Sequence, residues 1–220
     1  AREVRQLATE MLGTGVLSAL VIGAGLLAER FPAQTPMGAD WLVALTAGVV
    51  FAMLMVSGGR FNPALTLADV IARHEEIEPG AWRAGAQVAG AILGVVAAHA
   101  VFDMGAIQHG GRPLSGASVW AGEAGATFVF VLAVTLAMTR GRLIGSAFAG
   151  LTLAVVYMAT TAMSLANPAL LIARTLTDSY LGVRAGDAAI LLACQIAAAA
   201  LAGLAANVLL RARLRRAAAR

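Results

Sequence analysis

Two Asn-Pro-Ala tripeptides, Asn62-Pro63-Ala64 and Asn167-Pro168-Ala169, restrict the fold of this chain more than any other feature. The protein holds only three Asn residues, and two of them stand here. Each heads an apolar run, SGGRFNPALTLA (57–68) and SLANPALLIA (164–173). Asn followed by Pro is helix-start chemistry. The Asn side-chain oxygen accepts from the first free backbone N–H groups, and Pro at the first helical position loses no hydrogen bond. The helix that each tripeptide starts is too short to cross a bilayer: from Asn62 to about Arg73 it rises roughly 17 Å, about half of a ~30 Å hydrocarbon core. Two such half-helices in a membrane chain imply a pore whose centre is built from two helix N-termini.

The membrane setting is dictated by composition. Of 220 residues, 60% are hydrophobic and 13% charged, with a mean hydropathy of +0.80. A soluble domain of this size cannot hide that much apolar surface. Six segments are long and apolar enough to span: about 7–28, 41–57, 81–102, 117–138, 143–163 and 187–210. The second is the shortest, at the lower limit for a span. The first reads as a full span and not as a cleavable leader. The fold class is therefore an all-α membrane protein, with six transmembrane helices plus two re-entrant half-helices.

Orientation is read from the basic residues, all sixteen of which are Arg. With the N-terminus in the cytoplasm, Arg2, Arg5, Arg60, Arg73, Arg83, Arg140, Arg142, Arg211, Arg213, Arg215, Arg216 and Arg220 lie inside. Arg30, Arg112, Arg174 and Arg184 lie outside. The imbalance of twelve to four places both termini in the cytoplasm by the positive-inside rule. The C-terminal RARLRRAAAR then reads as a lipid-headgroup anchor beside a span, not as a nucleic-acid contact. Cys194 is the only cysteine, so it forms no intramolecular disulfide and reads as a packing residue.

Three landmarks recur in order. Glu10 in EMLGT and Glu123 in EAGAT come first, then Asn62 and Asn167, then Gln87 in AQVAGA and Gln195 in CQIAAA. The offsets of 113, 105 and 108 residues point to one duplicated unit within a single channel domain over 1–220, the first repeat covering 1–110 and the second 111–220. Each unit has three spans, so the second enters the membrane from the opposite side, an inverted repeat. Glu10 and Glu123 are charges inside spans, costly unless satisfied. They read as loop supports that accept backbone N–H bonds from the re-entrant segments, in preference to a proton relay. Gln87 and Gln195 read as interhelical partners, and Gly90 and Gly94 as a close helix approach.

The doubled tripeptide, the Glu-x-x-x-Thr of the first and fourth spans and the run SGGRFNPA together resemble the aquaporin family, the major intrinsic proteins, over nearly the whole chain. That resemblance implies a homotetramer with one pore per subunit, no cofactor, and passive passage of water or small neutral solutes. It also implies an outer constriction with four contributors. The family's hallmark Arg, three residues after the second Asn, is here Leu170. Arg174, four residues further on, is expected to serve the outer vestibule or pair with Asp178. Three residues before the second Asn stands Ser164. Matching GLTLAVVY (150–157) to the family's glycine-led pattern gives Tyr157 on the fifth span, where plain counting gives Val155. On the second span the pattern gives Ala47 and counting gives Leu42. A constriction of these residues has no fixed charge and is expected to be wider or more apolar than an Arg-bearing one. It resembles bacterial aquaporin-like channels of the arsenite and neutral-solute type. Where the family usually has His, two residues before the first Asn, this chain has Arg60, which either charges the inner mouth or pairs with Asp69 or a loop acid.

The expected function is thus a passive channel of the bacterial inner membrane for glycerol-like polyols, trihydroxy metalloids and water. Its partners are lipid and solute, with no nucleic acid. A water-selective pore is the near alternative, and an ion-coupled transporter built on Glu10 and Glu123 the more distant one. A closed, purely structural tetramer is a third. No catalytic constellation or phosphate-binding glycine motif is present in the sequence. His74-Glu75-Glu76 with Glu78 lacks metal-ligand spacing and reads as a solvated acidic loop closed by Pro79-Gly80. His99 reads as a packed histidine, and His109 as part of a solvated loop.

Overall fold

A computed structural model describes residues 2–30 and 36–218; Arg220 of the C-terminal basic run lies outside them. The described residues form eight helices: α1 (Arg2–Arg30), α2 (Pro36–Met55), α3 (Pro63–Ile71), α4 (Ile77–Val101), α5 (Ala117–Met138), α6 (Arg142–Met158), α7 (Pro168–Arg174) and α8 (Ala185–Ala218). Six of these cross the bundle, and α3 and α7 go only part of the way. The start of α1 and the end of α8 therefore lie at one end of the bundle, the terminal end, which also receives the α2–α3 and α5–α6 connections. Among the described residues, five helices are long and apolar enough to cross a membrane, and α6 is a shorter apolar helix.

The short crossing is not the second one. Helix α2 starts at Pro36 and runs 20 residues, because Pro is well placed in a helix's first turn and the Gly38–Asp40 stretch continues from it. The 17-residue helix is α6, which ends at Met158, five residues before the expected end. Beyond it the chain must turn back into the bundle. The Thr160 hydroxyl donates to the Val156 carbonyl (3.1 Å) and accepts from the Ser164 N–H (2.9 Å), shaping that turn. The half-helices are also tighter than expected: α3 stops at Ile71, and α7 has seven residues, a rise of only about 10 Å. Pro79 and Gly80, expected to close a loop, lie instead in the first turns of α4, where a proline costs no hydrogen bond.

Helix α1 packs mainly on α4, α5 on α8, and α2 on α6. Each half-helix lies on a helix from the other half of the chain, α3 on α8 and α7 on α4, so the two halves interlock around the centre. Small residues permit this closeness. A Cβ on Gly90 would stand 2.0 Å from the Met11 carbonyl oxygen, and one on Gly94 would stand 2.3 Å from that of Gly15. The glycine pair thus marks backbone contact between α1 and α4. Gly48 and Gly150 do the same for α2 and α6, with 2.2 Å from a Gly150 Cβ to the Gly48 oxygen. Gly90→Val is expected to separate α1 from α4 at a cost of about 1–3 kcal/mol or more. A thermal-unfolding midpoint in detergent, compared with that of Gly85→Val, where an added Cβ meets nothing within 4 Å, checks this. Equal midpoints would contradict it.

Candidate functional site: the paired half-helix caps and the rim beyond them

Asn62 and Asn167 each hold extended backbone angles immediately before a proline-led helix. The Asn62 Oδ1 accepts from the Ala64 N–H at 2.8 Å. The Asn167 Oδ1 accepts from Ala169 at 3.0 Å and Leu170 at 3.4 Å. Their amide nitrogens cross over: Asn62 Nδ2 donates to the Ala166 carbonyl (2.8 Å) and Asn167 Nδ2 to the Phe61 carbonyl (2.9 Å). Both accepting residues precede the partner Asn, and both have left-handed backbones, φ 53° at Phe61 and 46° at Ala166. A non-glycine residue there costs roughly 1–3 kcal/mol. In return each loop turns a carbonyl toward the other's amide. The two re-entrant segments are thereby tied at the centre by a reciprocal pair of bonds. Each amide retains one further N–H.

The buttress behind the first loop is Glu10. Its Oε1 accepts from the Arg60 N–H (2.8 Å), and its Oε2 from the Phe61 N–H (2.7 Å) and Gln87 Nε2 (2.9 Å). Gln87 Nε2 also donates to the Thr66 hydroxyl (3.1 Å), fastening α4 to α3. Glu10 thus takes two backbone N–H groups of the first re-entrant segment, and Gln87 bridges α4 to both Glu10 and α3. The second buttress differs. Glu123 Oε1 accepts from the Ser164 hydroxyl (2.9 Å) and Gln195 Nε2 (2.5 Å), and it is the Ser164 oxygen that accepts the Ala166 N–H (3.1 Å). Glu123 supports its loop through a serine and not by taking backbone N–H groups itself. Thr127 Oγ1, Glu123 Oε2 and Gln195 Oε1 have no hydrogen-bond partner among the described residues.

Arg174 corrects an expectation. It is buried (1% exposed) and does not pair with Asp178. Its Nε donates to the Leu181 carbonyl (2.7 Å), Nη1 to Met163 (3.2 Å) and Nη2 to Ala162 (3.2 Å). Side chains of a helix lean toward its N-terminus, so a guanidinium at this position reaches back onto the segment that leads into Asn167. It clasps that segment to the loop after α7. Opposite charge reaches it from Glu123.

Of the expected constriction residues, Ala47, Tyr157, Ser164 and Leu170 all face the interior, and none is more than 1% exposed. The alternatives from counting lie on outward faces: Leu42 is 41% exposed and Val155 56%. The Tyr157 hydroxyl donates to Met163 Sδ (3.3 Å), and the Ser164 hydroxyl is committed to Glu123. Sequence reasoning missed Met163, Asp40, Tyr180 and Arg112, which crowd the rim at the end opposite the termini. Tyr180 donates to Asp40 Oδ1 (2.6 Å). Burial, and then the Asp40 carboxylate, push its phenol up to about 12, so it remains a donor at neutral pH.

At the terminal end, Arg60 pairs with Asp69 (2.5 Å) and Arg83 with Glu75 (2.8 Å). The Arg60 alternatives thus resolve to the ion pair with Asp69. Glu75 is not a solvated loop acid. Burial holds its carboxyl above the ordinary value, with Arg83 pulling the other way. His99 is fully buried between the Ala106 carbonyl (3.1 Å) and the Thr177 hydroxyl (2.9 Å), the packed histidine expected, while His109 is exposed.

Six crossings and two opposed half-helices, capped by Asn side chains that bond across the centre, define the architecture of a membrane channel. The chain matches the model of the major intrinsic protein family over residues 1–206, and it belongs to that family. It is 33% identical over 190 residues to the aquaglyceroporin AqpS of Rhizobium meliloti (strain 1021), covering 83% of this chain and 80% of that one. Its fold is similar to that of the aquaglyceroporin from Plasmodium falciparum solved by X-ray crystallography. The TM-score is 0.68 and the identity 17%, with 93% of this chain and 96% of the other covered.

Proposed function

We propose that the protein is a passive channel for small uncharged solutes, conducting glycerol-like polyols, trihydroxy metalloids and water. The observation that carries this reading is the reciprocal Asn62–Asn167 tie, together with Leu170 in the position three residues beyond Asn167. At the centre each Asn amide has one N–H engaged across the loops and one to offer a passing oxygen. The two half-helix N-termini add partial positive charge there, up to about half a unit each. Protons and cations meet a barrier, and neutral solutes do not. Around Leu170, the Tyr157 ring and the Ala47 methyl group give an apolar wall against which the carbon face of a polyol packs. Ser164 contributes bulk to this wall, since its hydroxyl is spent on Glu123.

The relative named an aquaglyceroporin agrees with this reading, and the basic residues support cytoplasmic termini in a bacterial plasma membrane. Apolar side chains along the outer faces of α2 and α6, Leu45, Val49, Leu151 and Val155 among them, are exposed and suit contact with lipid or with further subunits of a tetramer. Ion-coupled transport fits less well. Glu10 accepts three hydrogen bonds, which leaves it little freedom to load and release a proton.

Labelled-glycerol uptake into proteoliposomes tests the proposal. Uptake linear in concentration and indifferent to a protonophore is expected, whereas saturable uptake driven by a pH gradient contradicts it. Leu170→Arg is expected to put a guanidinium on the half-helix itself and reduce glycerol flux by about tenfold, the scale of one misfit group in a tight site, with water less affected. Unchanged glycerol flux in that variant would mean that Leu170 does not line the passage.

A further inference from the structure

We propose that Arg112, from the connection between the two halves of the chain, is a specificity-determining residue of this channel, placing at the outer rim the cation that the half-helix lacks at Leu170. The inference rests on the neutral-solute reading above and deepens it.

Five separate segments converge at the rim: Asp40 of α2, Arg112 of the 102–116 connection, Tyr157 of α6, Met163 of the second re-entrant segment and Tyr180 of the loop after α7. Arg112 Nη1 donates to the Tyr180 carbonyl (3.1 Å) and to Met163 Sδ (3.6 Å). That sulfur is the one Tyr157 also donates to, so the guanidinium and the Tyr157 hydroxyl flank a single atom. The Arg112 guanidinium carbon lies 5.7 Å from the centroid of the Tyr180 ring, a cation–π distance. Tyr180 is held in turn by Asp40. Arg112 Nε and Nη2 have no hydrogen-bond partner among the described residues. Unlike buried Arg174, this side chain is only half-buried.

The backbone that carries Arg112 is fixed. Gln108 N–H donates to the Leu176 carbonyl, Gly110 to Thr175, and Arg184 to the Arg112 carbonyl, each at 3.0 Å. The Leu114 N–H reaches Asp187 Oδ2, also at 3.0 Å. At Gly110 the two segments run so close that a Cβ would stand 2.5 Å from both the Val183 nitrogen and its oxygen. The connection is thus laced to the loop after α7 and delivers a planar guanidinium beside Tyr157 and Met163. Two donor nitrogens remain for the hydroxyls of a solute. Such a fork suits adjacent hydroxyl groups, and its bulk narrows the mouth.

The test is stopped-flow light scattering on proteoliposomes containing wild type, Arg112→Gln or Arg112→Ala, challenged separately with glycerol and with the five-carbon polyol xylitol. Both variants are expected to raise the xylitol-to-glycerol permeability ratio by about fivefold, the scale on which fit at a constriction separates homologous solutes. Arg112→Gln preserves polarity and much of the side-chain length, so it reports on the charge if the alanine variant proves unstable. An unchanged ratio in folded Arg112→Gln, or an equal fall of both solutes in both variants, overturns the inference and makes Arg112 a loop fastener. Wild type decides the broader reading separately. If it passes no glycerol while Arg112→Ala does, the rim assignment stands and the wild-type solute class must be narrowed to water.

Discussion

Glu10→Ala abolishes glycerol conduction and strongly destabilises the folded protein; this is the largest effect expected of any single substitution. The change removes the acceptor for two backbone N–H groups, those of Arg60 and Phe61, and for Gln87 Nε2. It also removes the carboxylate 3.7 Å from Arg83, which is left with Glu75 as its acidic partner. Each buried donor without a partner costs about 1–3 kcal/mol, so the sum is on the order of several kcal/mol, a large share of any protein's stability. The loss would be felt at Phe61 first. Its left-handed backbone holds the carbonyl that receives Asn167, and its ring occupies the space left by Gly13 and Gly59. Glu10→Gln separates charge from geometry. The amide keeps one acceptor but turns a donor toward N–H groups, so it should recover little. Circular dichroism melting of both variants, with glycerol flux per folded protein, checks this. A Glu10→Gln variant with full flux would show that one loop N–H can go unpaired without moving the Asn pair.

Arg174→Met is the second. Methionine preserves much of the length and packing but leaves the carbonyls of Ala162, Met163 and Leu181 without their guanidinium donor. Under-satisfied carbonyls are tolerated better than orphaned N–H groups, so the expected cost is about 3 kcal/mol, below that of Glu10→Ala. The effect should be local. The segment at 162–166 loosens, the Asn167 cap shifts, and glycerol flux falls while α1 to α4 keep their packing. Hydrogen exchange in detergent distinguishes the outcomes: protection lost at 160–166 and 176–183 with the rest retained is expected. Uniform loss, or none, would contradict the clasp. Arg174→Lys should rescue only part of the flux, because an ammonium on a flexible stem cannot reproduce the planar fork that reaches three acceptors.

The residues legible in the sequence are those whose chemistry is local or repeated. Asn62 and Asn167 announce themselves because capping acts over two or three residues, and Glu10 because a carboxylate in a span must find donors. The asymmetry between the two buttresses was not legible. Whether Glu123 meets backbone N–H groups or a serine hydroxyl depends on the turn at Thr160, which shortens α6 and places Ser164 between them. Arg174 was misassigned because sequence proximity suggested Asp178, whereas a helical side chain leans back toward the preceding segment. Arg112 was invisible for a different reason. Its partners Met163 and Tyr180 lie 51 and 68 residues away, and an Arg beside two glycines in a loop carries no local signal of where it points.

The most direct test of the central claim is the wild type in proteoliposomes, shrunk by an impermeant sugar and then challenged with an equal osmotic step of glycerol. Shrinkage in glycerol succeeded by rapid re-swelling, much faster than in empty vesicles and unaffected by a protonophore, is the predicted result. Fast water flux with no re-swelling in glycerol would contradict the account, because it would mean that the passage at Leu170 excludes polyols and conducts water alone.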